Sequence, residues 1–440
     1  MDAIADKSSL AAAVRAAVAA QPVVDMHTHL YDARFGPLLL RGVDELLSYH
    51  YLAAELFRAN PRLPGGESLQ PEAYRAMPAA ARADIAWKAL FIEQTPLSEA
   101  ARGVAACLSA LGRGLGGGAK GGGAAVSRDL GAHRALTADW PEQKHIDEVL
   151  RLANVKAVVM TNDPFDDEER PAWEGNRPGA DARFWSALRL DRLFADWPLA
   201  SQRLRGWGFD AAADWSRPES RARAAGEVRR FLLHWVDIMR PVYLALSAGA
   251  SFDPDYDRDP IAAFLIHEAV LPVCRERGLP LALMIGVWRG ANPRLAGAGD
   301  SVRLADLAPL ARLCREYPGA RFLVTLLARE NQHELCVLAR KFGQLHPFGC
   351  WWFLNNPSLI HETTLMRLEL LGPTFTLQHS DARVLDQLLY KWRHSRETAA
   401  AALEIQYGRL WDSGWRVTGD EVARDVERLL GGNFLRLIGK

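Results

Sequence analysis

Short apolar runs, rich in β-branched residues, recur along the chain, and a longer amphipathic stretch follows each of them. The eight runs are residues 23–30, 155–161, 187–193, 241–247, 279–287, 321–328, 349–354 and 374–378. Strands that are apolar on both faces are typical of a parallel sheet that helices cover on both sides. Eight strand–helix units therefore predict an α/β fold, a closed (β/α)8 barrel of the TIM type.

A long segment separates the first run from the second, and it exceeds what one strand-to-strand connection needs. Helical patterns at residues 42–60 and 80–92 predict that residues 31–150 form a mostly helical insertion after the first strand. The whole chain, residues 1–440, is then one barrel domain. Within the insertion, residues 112–125 (GRGLGGGAKGGGAA) offer little apolar surface to bury and predict a flexible surface loop.

Charge and cysteine content limit the possible partners and the compartment. The 53 Lys and Arg residues balance 53 Asp and Glu residues, so nothing indicates nucleic acid as a partner. No apolar run approaches the roughly 20 residues that cross a bilayer, so we expect no membrane association. The N-terminal segment predicts an amphipathic helix rather than a signal peptide. Five scattered cysteines without a CxxC pair favour a reducing, cytoplasmic environment.

Two histidines stand two residues apart where the first apolar run (VVDMHTHL) ends. Because side chains alternate along a strand, His27 and His29 are expected on one side and Thr28 on the other. At the carboxyl end of a barrel strand, that side faces the catalytic mouth, where two imidazoles suit a divalent metal ion. The alternative is a pair of half-exposed histidines with ordinary hydrogen bonds.

A carboxylate near the end of the chain is the candidate third ligand. In the segment TFTLQHSDAR, Asp381 and Arg383 stand two residues apart where the eighth run ends. Since strand eight lies beside strand one in a closed barrel, Asp381 is expected to complete a His/His/Asp site. The alternative is a surface ion pair or a helix N-cap. Zinc is the expected ion, although manganese, iron and cobalt accept the same ligands.

This arrangement of an HxH pair after strand one and an Asp after strand eight resembles the amidohydrolase superfamily. Members with two metal ions add a bridging Lys after strand four and His ligands after strands five and six. The corresponding runs here, PVYLALSA, LPLALMIGV and RFLVTLLA, contain neither Lys nor His. We therefore expect a single metal ion, which makes binuclear hydrolysis less favoured.

Five longer motifs are similar to those of the uronate isomerase family, also called glucuronate isomerases. They are LLSYHYLAAELFR, TNDPFDDEERPAW, ALRLD, GCWWFLNNP and QHSDAR, and the resemblance extends over nearly the whole chain. Many members of the family have a His before the Ile-Gly of strand five, where this chain has Met284. The chain thus resembles a divergent branch with the YHYL and HSDAR forms.

The resemblance implies an intramolecular aldose–ketose isomerase of glucuronate catabolism. Such an enzyme converts D-glucuronate to D-fructuronate and D-galacturonate to D-tagaturonate by moving a proton from C2 to C1. Two other classes remain open. One is a mononuclear hydrolase or decarboxylase that acts on another small acid through metal-bound water. The other is a barrel that binds a sugar acid without converting it. The implied partner is a small sugar acid, and we expect a homo-oligomer.

The resemblance also implies roles in proton transfer. Tyr51 matches the family's active-site tyrosine, and Arg383 is the expected neighbour that lowers its pKa and makes the phenol a better base. Asp381 is expected to take the ring-opening proton from the C5 hydroxyl as well as to bind metal. The alternative for Tyr51 is packing in a helix core, and Tyr49 and His50 are interpreted as mainly structural.

Four further residues are candidates for substrate binding. Arg189 matches a family arginine, and its guanidinium fork suits the C6 carboxylate; an internal ion pair is the alternative. Asp163 is expected to orient a ligand or a sugar hydroxyl, or else to shape a turn. Strand alternation lets only one of Trp351 and Trp352 face the pocket, and Trp352 is favoured. Arg289 is a further cation for an anionic substrate, with a surface salt bridge as the alternative.

Overall fold

A curled, mainly parallel sheet lies at the centre of the computed structural model, which describes residues 3–62, 65–116, 125–175, 180–214 and 217–440. Its strands are β1 (Val23–Thr28), β2 (Val155–Asn162), β3 (Phe184–Arg189), β4 (Leu244–Gly249), β5 (Leu281–Trp288), β6 (Ser301–Val302), β7 (Phe322–Leu326) and β8 (Leu345–Pro347). The strand order is β1-β2-β3-β4-β5-β7-β8, all parallel, and β6 pairs antiparallel with β5. The predicted parallel α/β fold is confirmed.

Helices cover the outer side of the sheet and connect the strands. The α-helices are α1 (Lys7–Ala20), α2 (Val43–Ser48), α3 (His50–Arg58), α4 (Pro71–Arg75), α5 (Ala79–Trp87), α6 (Glu99–Gly116), α7 (Leu130–Thr137), α8 (Glu142–Ala153), α9 (Arg170–Glu174), α10 (Asp191–Ala195), α11 (Trp197–Gly206), α12 (Pro218–Met239), α13 (Pro260–Phe264), α14 (Leu271–Arg277), α15 (Ala308–Glu316), α16 (Gln332–Ala339), α17 (Pro357–Leu371), α18 (Gln387–Asp412), α19 (Gly419–Glu427) and α20 (Asn433–Ile438). Shorter helical segments are Ala33–Leu38, Lys88–Ile92, Leu265–Val270, Pro293–Gly299, Arg329–Asn331, Trp352–Leu354 and Arg428–Gly432.

Side-chain alternation along the strands separates two layers of core. One set of strand residues forms an inner cluster enclosed by the sheet, with Phe434 of α20 packed into it: Val24, Met26, Val159, Ala187, Ala245, Ala282, Met284 and Leu323. The intervening positions pack outward against the helices, as Leu188, Leu244 and Val324 do. Because both faces are buried, the strands are apolar throughout, which explains the continuous apolar runs of the sequence.

The boundary of the third strand differs from its prediction. The expected strand at residues 187–193 lies instead at Phe184–Arg189, and α10 begins at Asp191. Leu190 and Leu193 are buried in the same outer core as the strand residue Leu188. The apolar run therefore continues from strand into helix, and hydrophobicity alone does not mark the boundary.

The predicted seventh strand, residues 349–354, is wrong. The strand lies earlier, at Leu345–Pro347, and Trp352–Leu354 is a single helical turn. Positive φ angles at Gly349 (58°) and Trp352 (44°) bend the chain out of the extended conformation. Glycine is required at 349, since a Cβ there would lie 1.8 Å from Nδ1 of His379.

The predicted eighth strand, residues 374–378, is not a strand either, although this part of the chain bonds to both edges of the sheet. Thr376 forms one parallel bridge with Phe348 beside β8. On the other side, the Asp381 N–H donates to the His27 carbonyl at 3.2 Å, and the His29 N–H donates to the Ala382 carbonyl at 2.7 Å. Residues 376–382 thus lie between β8 and β1.

Seven helices, α2 to α8, lie between β1 and β2 in the part of the chain described. Residues 112–116 of the predicted glycine-rich loop continue α6, and residues 117–124 lie outside the described residues. Among the residues that the structure describes, no helix is long and apolar enough to span a membrane.

Several histidines are enclosed, and burial lowers their pKa values. The pKa falls to about 3 for His27, His50 and His379, to about 4 for His346 and to about 2 for His394. These rings stay neutral in the folded state at pH values where the unfolded chain binds protons.

The metal-free protein is therefore expected to lose stability as the pH falls below about 6.5, the pKa of an unfolded histidine. The folded-state pKa of these histidines lies below the unfolded value. Their contribution to the free energy of unfolding is therefore fully present above the unfolded pKa and is lost as the pH falls toward the folded pKa. Each such histidine adds a slope of about 1.4 kcal/mol per pH unit. Urea unfolding in the presence of a chelator, repeated at several pH values, measures how the free energy of unfolding depends on pH. His346→Gln should flatten the slope, whereas His333→Gln, at an exposed position, should leave it unchanged.

Candidate metal centre and surrounding cavity

Three side chains converge where β1 ends and the chain returns beside it. The Nε2 atom of His29 lies 3.4 Å from Oδ1 of Asp381, and Nε2 of His27 lies 3.7 Å from the same oxygen. Within the described residues, this is the one group of three His, Cys, Asp or Glu side chains whose ligand atoms all lie within 4.8 Å of one another. The structure thus brings together the three predicted metal ligands.

Departures from regular backbone geometry set the directions of these side chains. The pairing of β1 with β2 advances from Asp25 to Thr28 on β1 and only from Val158 to Met160 on β2, so β1 bulges between Asp25 and Thr28, around His27. A bulge of this kind redirects a side chain from simple alternation. Asp381 has a positive φ of 54°, which is uncommon for a residue with a Cβ. The site is therefore built from local departures from regular strand geometry.

Two hydroxyl groups fix which nitrogen of each histidine carries the proton. The Tyr243 hydroxyl donates to the Met26 carbonyl at 2.7 Å and lies 3.2 Å from Nδ1 of His27. The Thr161 hydroxyl donates to the Thr28 carbonyl at 2.9 Å and lies 2.8 Å from Nδ1 of His29. Since each hydroxyl proton is already used, each Nδ1–H must be the donor. Both Nε2 atoms then direct an unprotonated lone pair toward Asp381.

The atoms that face one another have the properties of a metal site. Nε2 of His27 and Oδ1 of Asp381 are buried, and neither has a hydrogen-bond partner among the described residues. Burial also lowers the pKa of His29 well below its usual value, so both imidazoles are neutral ligands. Two ligands about 2.1 Å from a tetrahedral ion lie roughly 3.4 Å apart, close to the distances observed. The residues therefore fit a divalent cation.

Replacing Tyr243 by Phe is expected to weaken metal binding about 10- to 100-fold, because His27 loses the group that fixes its tautomer and ring orientation. Competition with a chromophoric chelator measures the metal affinity. Tyr74→Phe is the matched control, since Tyr74 is equally buried and its hydroxyl bonds to the Arg82 carbonyl, away from the site. Equal metal affinity in the two variants would contradict the assigned tautomer.

Three arginines line the cavity around these ligands, and two of them have carboxylate partners. Arg189 places two N–H groups on Oδ2 of Asp191, at 2.7 and 2.9 Å. Arg289 pairs with Asp300 at 2.8 Å. For both arginines, such an ion pair was the alternative to a role in substrate binding. In the described part of the chain, no carboxylate pairs with Arg383. Arg383 is therefore the arginine of this cavity that is free to pair with an anionic ligand, and Arg189 and Arg289 add guanidinium groups held in place by their carboxylates.

The cavity brings together most of the predicted site residues. Its lining consists of His27, His29, His50, Arg189, Ser247, Arg289, Gly297, Asp300, Trp351, Trp352, Asp381 and Arg383. The expectation that only one of Trp351 and Trp352 faces the pocket is wrong, because these residues lie in a turn rather than a strand. Met284 is buried in the inner core cluster and does not line the cavity.

Tyr51 lies in an adjoining pocket rather than in this cavity. Trp352 lines both spaces, and the Tyr51 ring stacks on it with a centroid distance of 6.4 Å. Burial raises the pKa of Tyr51 well above its usual value, and Tyr49 and Asp381 act in the same direction. The expectation that Arg383 lowers this pKa is therefore wrong, since desolvation outweighs any effect of the cation.

Asp163 also lies outside the cavity lining. Its Oδ1 accepts the Phe165 N–H at 2.9 Å, and its Oδ2 pairs with Arg192 at 3.2 Å. Burial raises the pKa of its carboxyl to about 6. These contacts correspond to the turn role that was the alternative for Asp163.

Sequence reasoning missed several cavity residues. His50 lines the cavity, although it was interpreted as structural. Asp191 lies outside the cavity lining and was considered only as an ion-pair partner, but its second oxygen also accepts the Ser247 N–H at 2.8 Å and so links the start of α10 to β4. The available signal for His50 was its position in the YHYL motif directly before Tyr51. Asp300 comes from the β5–β6 connection, where no motif marks it as a functional residue.

The curled parallel sheet, with a His/His/Asp cluster at its carboxyl-terminal edge, places the chain in the class of α/β proteins with a candidate metal centre. The chain is similar to the crystal structure of a uronate isomerase from Bacillus halodurans C-125, with 45% sequence identity and a TM-score of 0.90. The match covers 99% of this chain and 98% of that chain. The chain belongs to the uronate isomerase family, as its motifs predicted.

Two structures with lower identity share the fold. A uronate isomerase from Thermotoga maritima has 14% identity and a TM-score of 0.67, with 97% of both chains covered. A glucuronate isomerase from Caulobacter crescentus has 16% identity and a TM-score of 0.68, covering 98% of this chain and 94% of that one. At this identity, the similarity concerns the fold alone. No protein-family model and no curated protein matches the chain.

Proposed function

We propose that the chain is a uronate isomerase that interconverts D-glucuronate with D-fructuronate and D-galacturonate with D-tagaturonate. One observation carries the proposal: the cavity combines three converging metal ligands with three arginines. A sugar acid offers a carboxylate for the cations and hydroxyl and carbonyl oxygens for a metal ion. The full-length similarity to a uronate isomerase supports the same reaction.

We infer that the site takes one divalent ion, with zinc as the proposed metal, held by His27, His29 and Asp381. When bound, such an ion would supply positive charge next to substrate oxygens and the developing enediolate. Neutral imidazoles with a single carboxylate give the set a net charge of −1, which suits a divalent cation. The lack of other clustered ligands in the described residues supports a single ion.

Arg189 is the proposed anchor for the C6 carboxylate of the substrate. Asp191 holds its guanidinium from one side through Nε and Nη2, which fixes the plane of the fork. The strands β3 and β4 therefore carry a pre-oriented cation. Arg289 and Trp352 are proposed to complete the binding surface, and a role for Asp163 in substrate binding stays a prediction.

Proton transfer is assigned to groups on opposite sides of Trp352. Because burial keeps the Tyr51 phenol protonated, we propose that Tyr51 donates its proton to the C1 carbonyl oxygen and regains one from the C2 hydroxyl as the new carbonyl forms. Asp381 would take the proton of the C1 hydroxyl as the ring opens and return it to the ring oxygen, which becomes the C5 hydroxyl. His50, neutral because burial lowers its pKa to about 3, lines the cavity and is the proposed carrier between C2 and C1. Arg383 would stabilise negative charge on the enediolate.

Proton NMR of the metal-loaded protein with D-glucuronate in deuterated buffer tests this function. An isomerase is expected to form a keto-uronate and to introduce deuterium at carbon. A hydrolase or decarboxylase would instead release two products from another acid and leave D-glucuronate unchanged. Saturable binding of D-glucuronate without any new carbon signal would indicate the non-catalytic alternative. Either of these outcomes would reject the isomerase.

Replacing Arg189 by Lys is expected to raise KM for D-glucuronate about 10- to 100-fold with a smaller change in kcat. A lysine keeps the charge but cannot form two parallel hydrogen bonds with a carboxylate. Steady-state kinetics at fixed metal concentration separates the two constants. Arg192→Lys is the control, because Arg192 is half exposed and outside the cavity. An unchanged KM in the Arg189 variant would exclude the anchoring role.

We also infer that the sheet closes into a full barrel in which residues 376–382 take the eighth position. Their hydrogen bonds to both edges of the sheet support this closure. In this proposal residues 1–440 form one barrel domain, and residues 31–150 are its helical insertion.

The compartment and assembly are further proposals. All five cysteines are buried and free, which supports a reducing environment such as the cytoplasm. We propose self-association, supported by exposed apolar side chains on the β5–β6 hairpin: Trp288 and Val302. Light scattering of the purified protein tests the oligomeric state, and a mass of one chain at micromolar concentration would reject it.

A further inference from the structure

Asp25 is a fully buried aspartate on β1, two residues before the first metal-ligand histidine. Its Oδ1 accepts the backbone N–H of Ser380 at 3.0 Å, and its Oδ2 accepts the indole N–H of Trp392 in α18 at 2.8 Å. The backbone N–H of His27 also bonds to this carboxylate. Among the described residues, no Lys or Arg pairs with Asp25. Its carboxylate is held by N–H groups and by the Ser380 hydroxyl.

Two of these partners, His27 and Ser380, belong to the two backbone segments that carry the metal ligands. His27 lies within the bulged part of β1, between Asp25 and Thr28, and Ser380 directly precedes Asp381, whose φ is 54°. Holding Asp381 in this sparsely populated conformation has a free-energy cost that surrounding contacts must offset. Asp25 is placed to do so, because one side chain fixes the backbone on both sides of the cluster.

We infer that Asp25 is a positioning residue that sets the distance between the HxH pair and Asp381, an inference that rests on the proposed metal centre. The chemistry of its partners requires a carboxylate. All of them donate, through N–H groups or the Ser380 hydroxyl, so a group that accepts at both oxygens satisfies them. An asparagine would accept at one atom only and would turn its own NH2 toward another donor. The segment carrying Asp381 would then shift.

The test compares metal binding by the wild type and by Asp25→Asn. Competition with a chromophoric chelator gives the Zn²⁺ dissociation constant, and the visible spectrum of the Co²⁺-loaded protein reports ligand geometry. We expect Asp25→Asn to raise the dissociation constant about 10- to 100-fold and to change the Co²⁺ spectrum. At saturating metal, KM for D-glucuronate should stay within about threefold, because Asp25 does not line the cavity.

A matched control separates positioning from general stability. Asp386 is also fully buried, and it accepts the Gly42 N–H and pairs with His145 at 2.7 Å. It bonds to neither ligand-bearing segment. Asp386→Asn is expected to lower the melting temperature while leaving the Zn²⁺ dissociation constant and the Co²⁺ spectrum unchanged. If both variants lose stability and neither changes metal binding, Asp25 is merely structural and the inference is overturned.

A milder variant covers the case in which Asp25→Asn does not fold. Trp392→Phe removes one N–H donor and keeps the Ser380 hydrogen bond, so we expect a rise of about three- to tenfold in the dissociation constant. Unchanged Zn²⁺ affinity and an unchanged Co²⁺ spectrum in this variant would also overturn the inference. Wild-type protein that binds no Zn²⁺ would reject the metal centre itself, whereas tight binding by both wild type and Asp25→Asn would reject only the role of Asp25.

Discussion

Asp381→Asn is expected to lower kcat/KM for D-glucuronate by about 10³-fold or more, since removing a catalytic acid or base typically costs 10²- to 10⁴-fold. The change removes two proposed functions at once. The amide is a much weaker metal ligand than the carboxylate, and it cannot take the ring-opening proton. Isomerisation measured by NMR at saturating metal gives the size of the loss.

The control for this substitution is Asp412→Asn, because Asp412 is largely exposed and pairs with Lys7 on the surface. It should keep full activity. A cyclic sugar acid must open its ring before it isomerises, whereas proton exchange at C1 of the open keto product needs no ring opening. The loss of rate in Asp381→Asn should therefore be larger with the cyclic substrate than in this exchange. An Asp381→Asn variant that retains more than a tenth of wild-type activity would remove Asp381 from the mechanism.

Removal of metal with a chelator is expected to abolish isomerase activity and to lower the melting temperature. A ligand that binds only the folded state stabilises it by about 4 kcal/mol when present at 1,000 times its dissociation constant. Buried, unpartnered ligand atoms at His27 and Asp381 should make the metal-free state the less stable one. Thermal unfolding before and after chelation, followed by addition of Zn²⁺, measures both effects.

Asp381→Asn supplies the comparison for the metal experiment. Its melting temperature should respond far less to chelator and to Zn²⁺ than that of the wild type. Full isomerase activity in a preparation shown by elemental analysis to lack metal would contradict the proposed centre. Restored activity with several divalent ions would support the centre and leave zinc as one of the ions that serve it.

The sequence was sufficient to predict that His27, His29 and Asp381 converge, because they lie in short local patterns. HxH after an apolar run and SDAR near the end of the chain each mark a candidate ligand, and the parallel order of the strands brings these two parts of the chain together. The fold class was predictable for the same reason, since strands buried on both faces leave continuous apolar runs.

Other parts of the structure depend on contacts that no local pattern contains. The tautomers of the two histidines are set by Thr161 on β2 and by Tyr243 next to β4. The strand β8 has the sequence LHP, which is poor in strand-forming residues, so the apolar segment after it was mistaken for the strand. The environment of Tyr51 depends on how α3 packs against Trp352, which is distant in sequence.

The hydrogen bonds between β1 and residues 381–382 have a consequence for dynamics. A cation held by His27, His29 and Asp381 would cross-link β1 to residues 376–382, which lie between β8 and β1. Metal binding and local opening of the hydrogen bonds between β1 and residues 381–382 are then thermodynamically linked. Amide hydrogen exchange at His29 and Asp381 should slow on loading with Zn²⁺, so that these two protons act as a readout of the bound ion without any substrate.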